Sequence, residues 1–360
     1  MDTNKPVVGI DLSKRTLEAV RVTGERIERF SGKTDDQGLR TLEKWLKKGE
    51  TVVMEAGSQA FRIARRLAKN IGCDMIVLNP GDVAVIYDSL KKTDKEDALK
   101  LARLAQRHPR EELPTVEIPT EKQEVIRRLS TEQAHWSEMI SMSKNRLHSV
   151  FVEAGIVHLT RSHLSRRENR QEAFESLPEV YQAEASRLMR DIDHMEGLVE
   201  ELEEQIRGAL KENLDYTSLV MSMPGVGPIL ALALLGYLGD GKRFSSAKQV
   251  GFFVGLVPKV QISGTMVHYG HIVHTGCKPI RRVIIQAAWA LTRSNEGGDL
   301  RAFYQRLYPI KGKKKAIVAV ARKMTEILYL MVRNGESYRH SDPANLKKKL
   351  KNYGLHSAAA

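Results

Sequence analysis

Cysteine is scarce in this chain: 360 residues contain two, Cys73 and Cys277. Two cysteines cannot form a disulfide framework, so a reducing, cytoplasmic compartment is expected. Long apolar runs are missing as well. The longest, "ILALALLGYLG", is too short to cross a bilayer and reads as a buried helix, so no membrane partner is expected. The opening "MDTNKP" lacks the basic-then-apolar pattern of a secretory signal. No GxxxxGK[ST] loop is present to cradle nucleotide phosphates. No second glycine-rich phosphate loop with an acid is evident either, which argues against a sugar-kinase-like enzyme.

What is abundant is positive charge. Lys and Arg number 57 against 44 Asp and Glu, a net charge of +13, and 42% of residues are hydrophobic. The chain is therefore long and apolar enough to fold around sizeable cores, and its charge fits a polyanion such as nucleic acid.

The first third alternates strands and helices. "PVVGIDLS", "TLEAVRVTG" and "RIERFSG" read as three strands, followed by a helix in "DDQGLRTLEKWLKK". Then come a strand in "TVVMEAG", a helix in "SQAFRIARRLAKN" ending near Gly72, a strand in "CDMIVLNP", and a helix in "TDKEDALKLARLAQR" with Thr93 as its N-cap. This order predicts an α/β layer fold. Prolines 109, 114 and 119 mark a linker. Beyond it, Leu188, Ile192, Met195, Val199, Leu202, Ile206 and Ala209 alternate by four and three, a heptad seam. The region from 121 to 215 is either a long coiled-coil arm or a bundle face. Next, "MPGVGP" leads into an apolar helix, a glycine hairpin of helix–hairpin–helix type. Its backbone N–H groups, at Gly225 and Gly227, are suited to holding phosphate. The lysine runs in "KGKKKAIVAVARK" and "NLKKKLKN" add cationic surface, although each alone is commonly a solvated face.

Four acids in the first third are candidates to converge. Asp11 and Glu55 each end a strand, and Asp94 and Asp97 share a helix face at i and i+3, which Glu96 does not. Clustered carboxylates repel unless hard divalent cations bind there. Two such cations serve phosphodiester chemistry. The competing reading is of turn acids plus a helix N-terminal pair favoured by the dipole.

The stretch "KVQISGTMVHYGHIVHTGCK", residues 259–278, spaces His268, His271, His274 and Cys277 three apart. Glycines interrupt the series, and a strand sends residues three apart to opposite faces. Contacts from the histidines to phosphate or bases, together with Arg281 and Arg282, fit better than zinc.

"GIDLS", "VVMEAG" and "KTDKEDA", followed much later by the pattern GLVPxxxxSGxxxxxGxIxxxG, resemble the DEDD transposases of bridge-RNA-guided insertion sequences, the family that includes the Piv and MooV invertases. The resemblance spans nearly the whole chain. It implies an RNase H-like, RuvC-like DEDD domain over 1–108, a linker over 109–120, a helical or coiled-coil region over 121–215, a mainly α-helical transposase domain over 216–340, and a basic tail over 341–360. It implies that Asp11, Glu55, Asp94 and Asp97 bind Mg²⁺ (or Mn²⁺) and that Ser263 attacks DNA and becomes joined to it. It also implies a structured guide RNA that pairs with double-stranded donor and target DNA. The assembly it implies is a homo-oligomer, dimer to tetramer, in which one subunit's tetrad meets another's serine domain. Further nucleic-acid contacts are expected from Lys92, Lys242, Arg243 and Lys259 beside Gly225, Gly227, His271, His274, Arg281 and Arg282. The function expected is RNA-guided DNA recombination through a phosphoserine intermediate. The alternative is a metal-dependent, junction-resolving endonuclease that forms no covalent intermediate.

Overall fold

The computed structural model describes residues 5–86, 94–263, 266–273 and 276–355. These divide into two compact units, the first ending at Thr120 and the second beginning at Glu121.

The first unit is a mixed α/β sheet domain. Its elements are β1 (Val7–Leu12), β2 (Thr16–Thr23), β3 (Arg26–Lys33), α1 (Asp36–Trp45), β4 (Thr51–Glu55), α2 (Ala60–Ile71), β5 (Asp74–Leu78), α3 (Pro80–Ile86) and α4 (Asp94–Arg107). The sheet order is β3-β2-β1-β4-β5. The first three strands are antiparallel neighbours, and β4 and β5 run parallel to β1. Local chemistry sets the boundaries. The Asp35 carboxylate accepts from Gly38 N at 2.8 Å to cap α1. Gly72, at φ 75°, ends α2 in the left-handed conformation.

Side chains alternate across the sheet. Val8, Ile10, Ala19, Val52 and Met54 face α1 and α2, where Leu39, Leu42, Ile63 and Leu67 are fully buried. Burial of each such leucine stabilises by roughly 1.5–3 kcal/mol. On the other face, Val20 and Val22 pack on Ala98, Leu99 and Ala102 of α4. The proline-marked segment runs beside β5, with Val116 N donating to Val77 O at 2.7 Å and Thr115 bridged to Leu78.

The second unit is largely helical: α5 (Glu121–Glu153), α6 (Arg167–Glu175), α7 (Glu179–Glu212), α8 (Leu214–Met221), α9 (Pro228–Tyr237), α10 (Ala247–Val254), a hairpin of β6 (Pro258–Ser263) and β7 (Met266–Ile272), then α11 (Lys278–Arg293), α12 (Gly298–Asn334, kinked at Gly312) and α13 (Pro343–Asn352). α5 and α7 pack side by side and antiparallel. The start of α5 (Ile126, Leu129) clusters with the end of α7 (Leu202, Ile206, Leu210), while Leu147 and Phe151 cluster with Ala185 and Ile192. Of the heptad-seam residues, Ile192, Met195, Leu202 and Ile206 are buried, and Leu188, Val199 and Ala209 are half-buried. At the far end, fully buried Arg170 reaches Asp193 and Glu196, each at 2.7 Å. The apolar α9 lies in the core of the unit, packed against α5, α7, α8 and α11. Among the described residues no helix is long and apolar enough to cross a membrane.

Candidate active site

Register places two of the expected acids side by side. Ile10 of β1 pairs with Met54 of the parallel β4, so Asp11 and Glu55 follow at adjacent strand ends and point to the same face. That face also carries Gly9, two residues before Asp11, and α4 crosses it there. A Cβ on Gly9 would lie 2.1 Å from Ala98 O and 2.6 Å from Ala102 N. Only glycine admits this approach, and Ala98 follows Asp97 directly. Asp11 and Glu55 are both half-buried. Asp97 is half-buried too, and accepts from Lys100 Nζ at 2.7 Å. Glu96 faces elsewhere, 3.9 Å from Arg29. Asp94 begins α4, and its side chain lies outside the described residues, as does all of Lys92.

Sequence reasoning missed two residues here. Gly9 is one; its signal was a glycine inside a buried strand, two positions before an acid. Glu18 is the other. It pairs with Asp11 across the antiparallel β1–β2 register and accepts from Ser31 Oγ at 2.6 Å. Among the described residues no three His, Cys, Asp or Glu side chains form a metal-binding group. Asp11, Glu55 and Asp97 nevertheless suit a hard divalent cation in kind, because they are oxygen donors on one side of the sheet.

Ser263 is the last residue of β6 and pairs with Met266 at the end of the two-stranded hairpin. Its side chain and the two residues that follow lie outside the described residues. His268 and His271 on β7 are exposed, as is Lys259 on β6, while His274 lies outside the described residues. Cys277 precedes α11, and burial pushes its thiol up to about 11, so it is neutral at physiological pH.

The expected nucleic-acid contacts divide into two groups. Lys242 is exposed like Lys259. Three arginines instead bond within the fold. Arg281 Nη1 donates to Val254 O and Val273 O, both at 3.3 Å, joining the end of α10 to the segment after the hairpin. Arg282 Nη1 donates to Ala134 O of α5 at 2.8 Å. Arg243 donates to Tyr237 O and lies over Phe244 and Phe253, 4.6 and 4.8 Å from the ring centres. Gly225, at φ 83°, lets α11 approach closely, since a Cβ there would lie 2.3 Å from Ala287 O. Gly227 caps α9.

Comparison with known proteins follows the same two segments. The family pattern described as DEDD transposase matches residues 8–156, and that described as the transposase IS116/IS110/IS902 family matches residues 217–305. The pilin gene-inverting protein of Moraxella lacunata is 24% identical over 349 residues, covering 93% of this chain and 98% of its own. The transposase for insertion sequence element IS1111A of Coxiella burnetii is 26% identical, covering 80% of this chain and 79% of its own. An insertion element IS110 protein of Streptomyces coelicolor is 32% identical over 148 residues, 41% of this chain and 36% of its own. With both segments matched in order and a relative aligned over nearly its full length, the chain belongs to the IS110/IS902 family of DEDD-type transposases, related to the pilin-inverting recombinases, and is a DNA-rearranging enzyme.

Proposed function

We propose that this transposase cuts and rejoins DNA through a covalent Ser263–DNA intermediate, assisted by Mg²⁺ (or Mn²⁺) and guided by a structured RNA from its own element. The observation that carries the reading is the shared face of Asp11 and Glu55, crossed at Gly9 by the helix that bears Asp97. Membership of the DEDD family implies a divalent cation. The strand order β3-β2-β1-β4-β5, with three antiparallel strands leading, supports an RNase H-like, RuvC-like fold for the first unit. The helix–turn–helix of α8 and α9 around Gly225 supports a phosphate-holding role for that turn. The packed α5–α7 pair supports the coiled-coil arm.

Asp11, Glu55, Asp94 and Asp97 would hold the cation. When bound, it supplies charge neutralisation at the phosphate and lowers the pKa of an attacking hydroxyl. Serine is a weak nucleophile and needs such activation. The Ser263 hydroxyl loses its proton and attacks phosphorus. The serine–phosphate bond forms as a deoxyribose oxygen departs and takes up a proton. A deoxyribose hydroxyl of the strand to be joined then attacks the phosphoserine, releasing the serine with a proton restored. The number of phosphodiester linkages is unchanged, so no ATP is required. Donor and target duplexes are selected by pairing with the RNA. The working unit is a homo-oligomer, a dimer assembling to a tetramer, in the cytoplasm.

The test uses the full chain, the RNA transcribed from its gene's flanks, and labelled donor and target DNA. Wild type yields a protein–DNA adduct that survives denaturing electrophoresis, and Ser263→Ala yields none. Asp11→Asn loses both the adduct and the rise in melting temperature that Mg²⁺ produces in the wild type. Hydrolysed ends with no adduct from the wild type would overturn the recombinase reading in favour of a junction-resolving endonuclease.

A further inference from the structure

The kink of α12 carries a charged and aromatic surface that the chemistry above does not use. From Leu300 to Thr325 the chain contains no acid, yet it holds eight cations: Arg301, Arg306, Lys311, Lys313, Lys314, Lys315, Arg322 and Lys323. Gly312 breaks the helix at φ 73° and ψ 163°, three residues after Pro309. A new helical stretch thus starts with Lys313, Lys314 and Lys315 in its first turn. That is the wrong sign for the helix dipole, which favours anions at an N-terminus. Lys311, Lys313, Lys314 and Lys315 are all exposed, and none has an ion-pair partner among the described residues. The arrangement costs free energy in the free protein, and a bound polyanion relieves it.

Beside these lysines runs a ladder of rings. Trp289 of α11 meets Tyr304 edge-on at 5.9 Å between centroids, and Tyr304 stacks on Tyr308 at 5.8 Å and 25°. The Lys313 ammonium sits 5.2 Å from the Trp289 ring centre. Trp289 and Tyr304 are anchored against the core, whereas Tyr308 is 50% exposed and ends the ladder at the surface. A half-buried aromatic pair explains core packing; a third ring stacked outward among lysines that lack ion-pair partners does not serve it. Rings offered face-on next to a row of cations are how proteins hold unpaired nucleotides, because every base has a π-face and every linkage a charge. A duplex keeps its bases stacked internally and offers none to such a ring.

The geometry points to a binding surface for single-stranded nucleic acid at this kink, with Tyr308 stacking on an unpaired base and Lys311, Lys314 and Lys315 neutralising its phosphates. The inference rests on the reading of the chain as a nucleic-acid enzyme, but its test measures binding and not recombination, so either can fail without the other. The full chain is titrated against labelled 20-nucleotide oligouridylate, 20-nucleotide oligothymidylate and a 20-base-pair duplex by fluorescence anisotropy. Tyr308→Ala weakens single-strand binding by about 5- to 150-fold and leaves duplex binding within two-fold, while Tyr308→Trp retains wild-type affinity. Lys314→Ala combined with Lys315→Ala lowers the salt dependence of single-strand binding, log K against log salt, by roughly 1.4. The two single strands separate RNA from DNA as the source: a fall for one alone in Tyr308→Ala identifies it, and a fall for both supports a surface that takes either single strand. If Tyr308→Ala binds both single strands as the wild type does, or loses duplex and single-strand affinity equally, the inference is overturned. Because Tyr308 is exposed, circular dichroism of each variant matching the wild type is expected, and the Tyr308→Trp protein keeps the result interpretable.

Discussion

Gly9 of β1 lies directly against Ala98 of α4, so that a Cβ on Gly9 would stand 2.1 Å from the Ala98 carbonyl oxygen. Contact with a backbone atom cannot be relieved by a side-chain rotation. Gly9→Ala must therefore lift α4 from the sheet or be lost to strain. Destabilisation of about 1–3 kcal/mol is expected from overpacking alone. Because the same helix carries Asp97, adduct formation should fall much further than stability does. Urea unfolding followed by tryptophan fluorescence, to which Trp45 of the first unit contributes, alongside the adduct assay, checks both. A Gly9→Ala protein with wild-type stability and activity would show that α4 does not depend on this approach.

Arg21 and Glu50 form a buried pair in the first unit, 4% and 3% exposed. Arg21 Nε donates to Glu50 Oε1 at 2.7 Å, Nη1 to Glu28 at 2.6 Å and Nη2 to Trp45 O at 2.6 Å. Its guanidinium also lies 4.0 Å from the Trp45 ring centre. Burial opposes the charge on Arg21, but hydrogen bonds to Glu50 and Glu28 outweigh it, and the pKa ends above its usual value. Glu50→Gln leaves a buried cation short of its partner, at a cost of about 3–5 kcal/mol. Arg21→Met combined with Glu50→Leu removes both charges and should recover most of that loss. Denaturant midpoints of the single and double variants measure the difference.

Lys349 of α13 is turned into the fold, where its ammonium donates to Met221 O at 2.7 Å and Met223 O at 3.3 Å, closing the end of α8. Burial pulls its pKa down to about 8, against partial support from Glu296. The unfolded chain, at the ordinary lysine value, then holds more protons than the folded one between about pH 8 and 10.5, so this group makes stability rise with pH across that window. The rise is roughly 3 kcal/mol. Lys349→Met lacks it. Denaturant midpoints from pH 7.5 to 10.5 for both proteins isolate the contribution, and identical profiles would count against a buried ammonium.

Much of this architecture was readable locally. The period-two strands, the four-and-three seam of α7, the Gly72 stop and the motifs around Asp11, Glu55, Asp94 and Ser263 each lie within a few consecutive residues. The lysine runs were visible too, but not their fates. Lys349 lies in a tail that reads as plain cationic surface, yet it is drawn inward by carbonyls 128 and 126 positions away. Arg281 and Arg282 read as phosphate contacts from their neighbours, and their bonds run to Val254, Val273 and Ala134. No local pattern encodes those partners.

By itself, then, the sequence determined the kinds of chemistry available: strand-end carboxylates, a serine before a glycine, excess positive charge and the order of two family segments. Tertiary structure decided which of those groups meet. The β1–β4 register put Asp11 and Glu55 on one face, a missing Cβ at Gly9 let α4 cross beside them, and helix packing turned some cations inward while the α12 kink left others outside. The physical reason is range. Periodicity and capping depend on neighbours along the chain, whereas register, close approach and burial depend on residues tens to hundreds of positions apart, whose contacts exist only once the chain has folded.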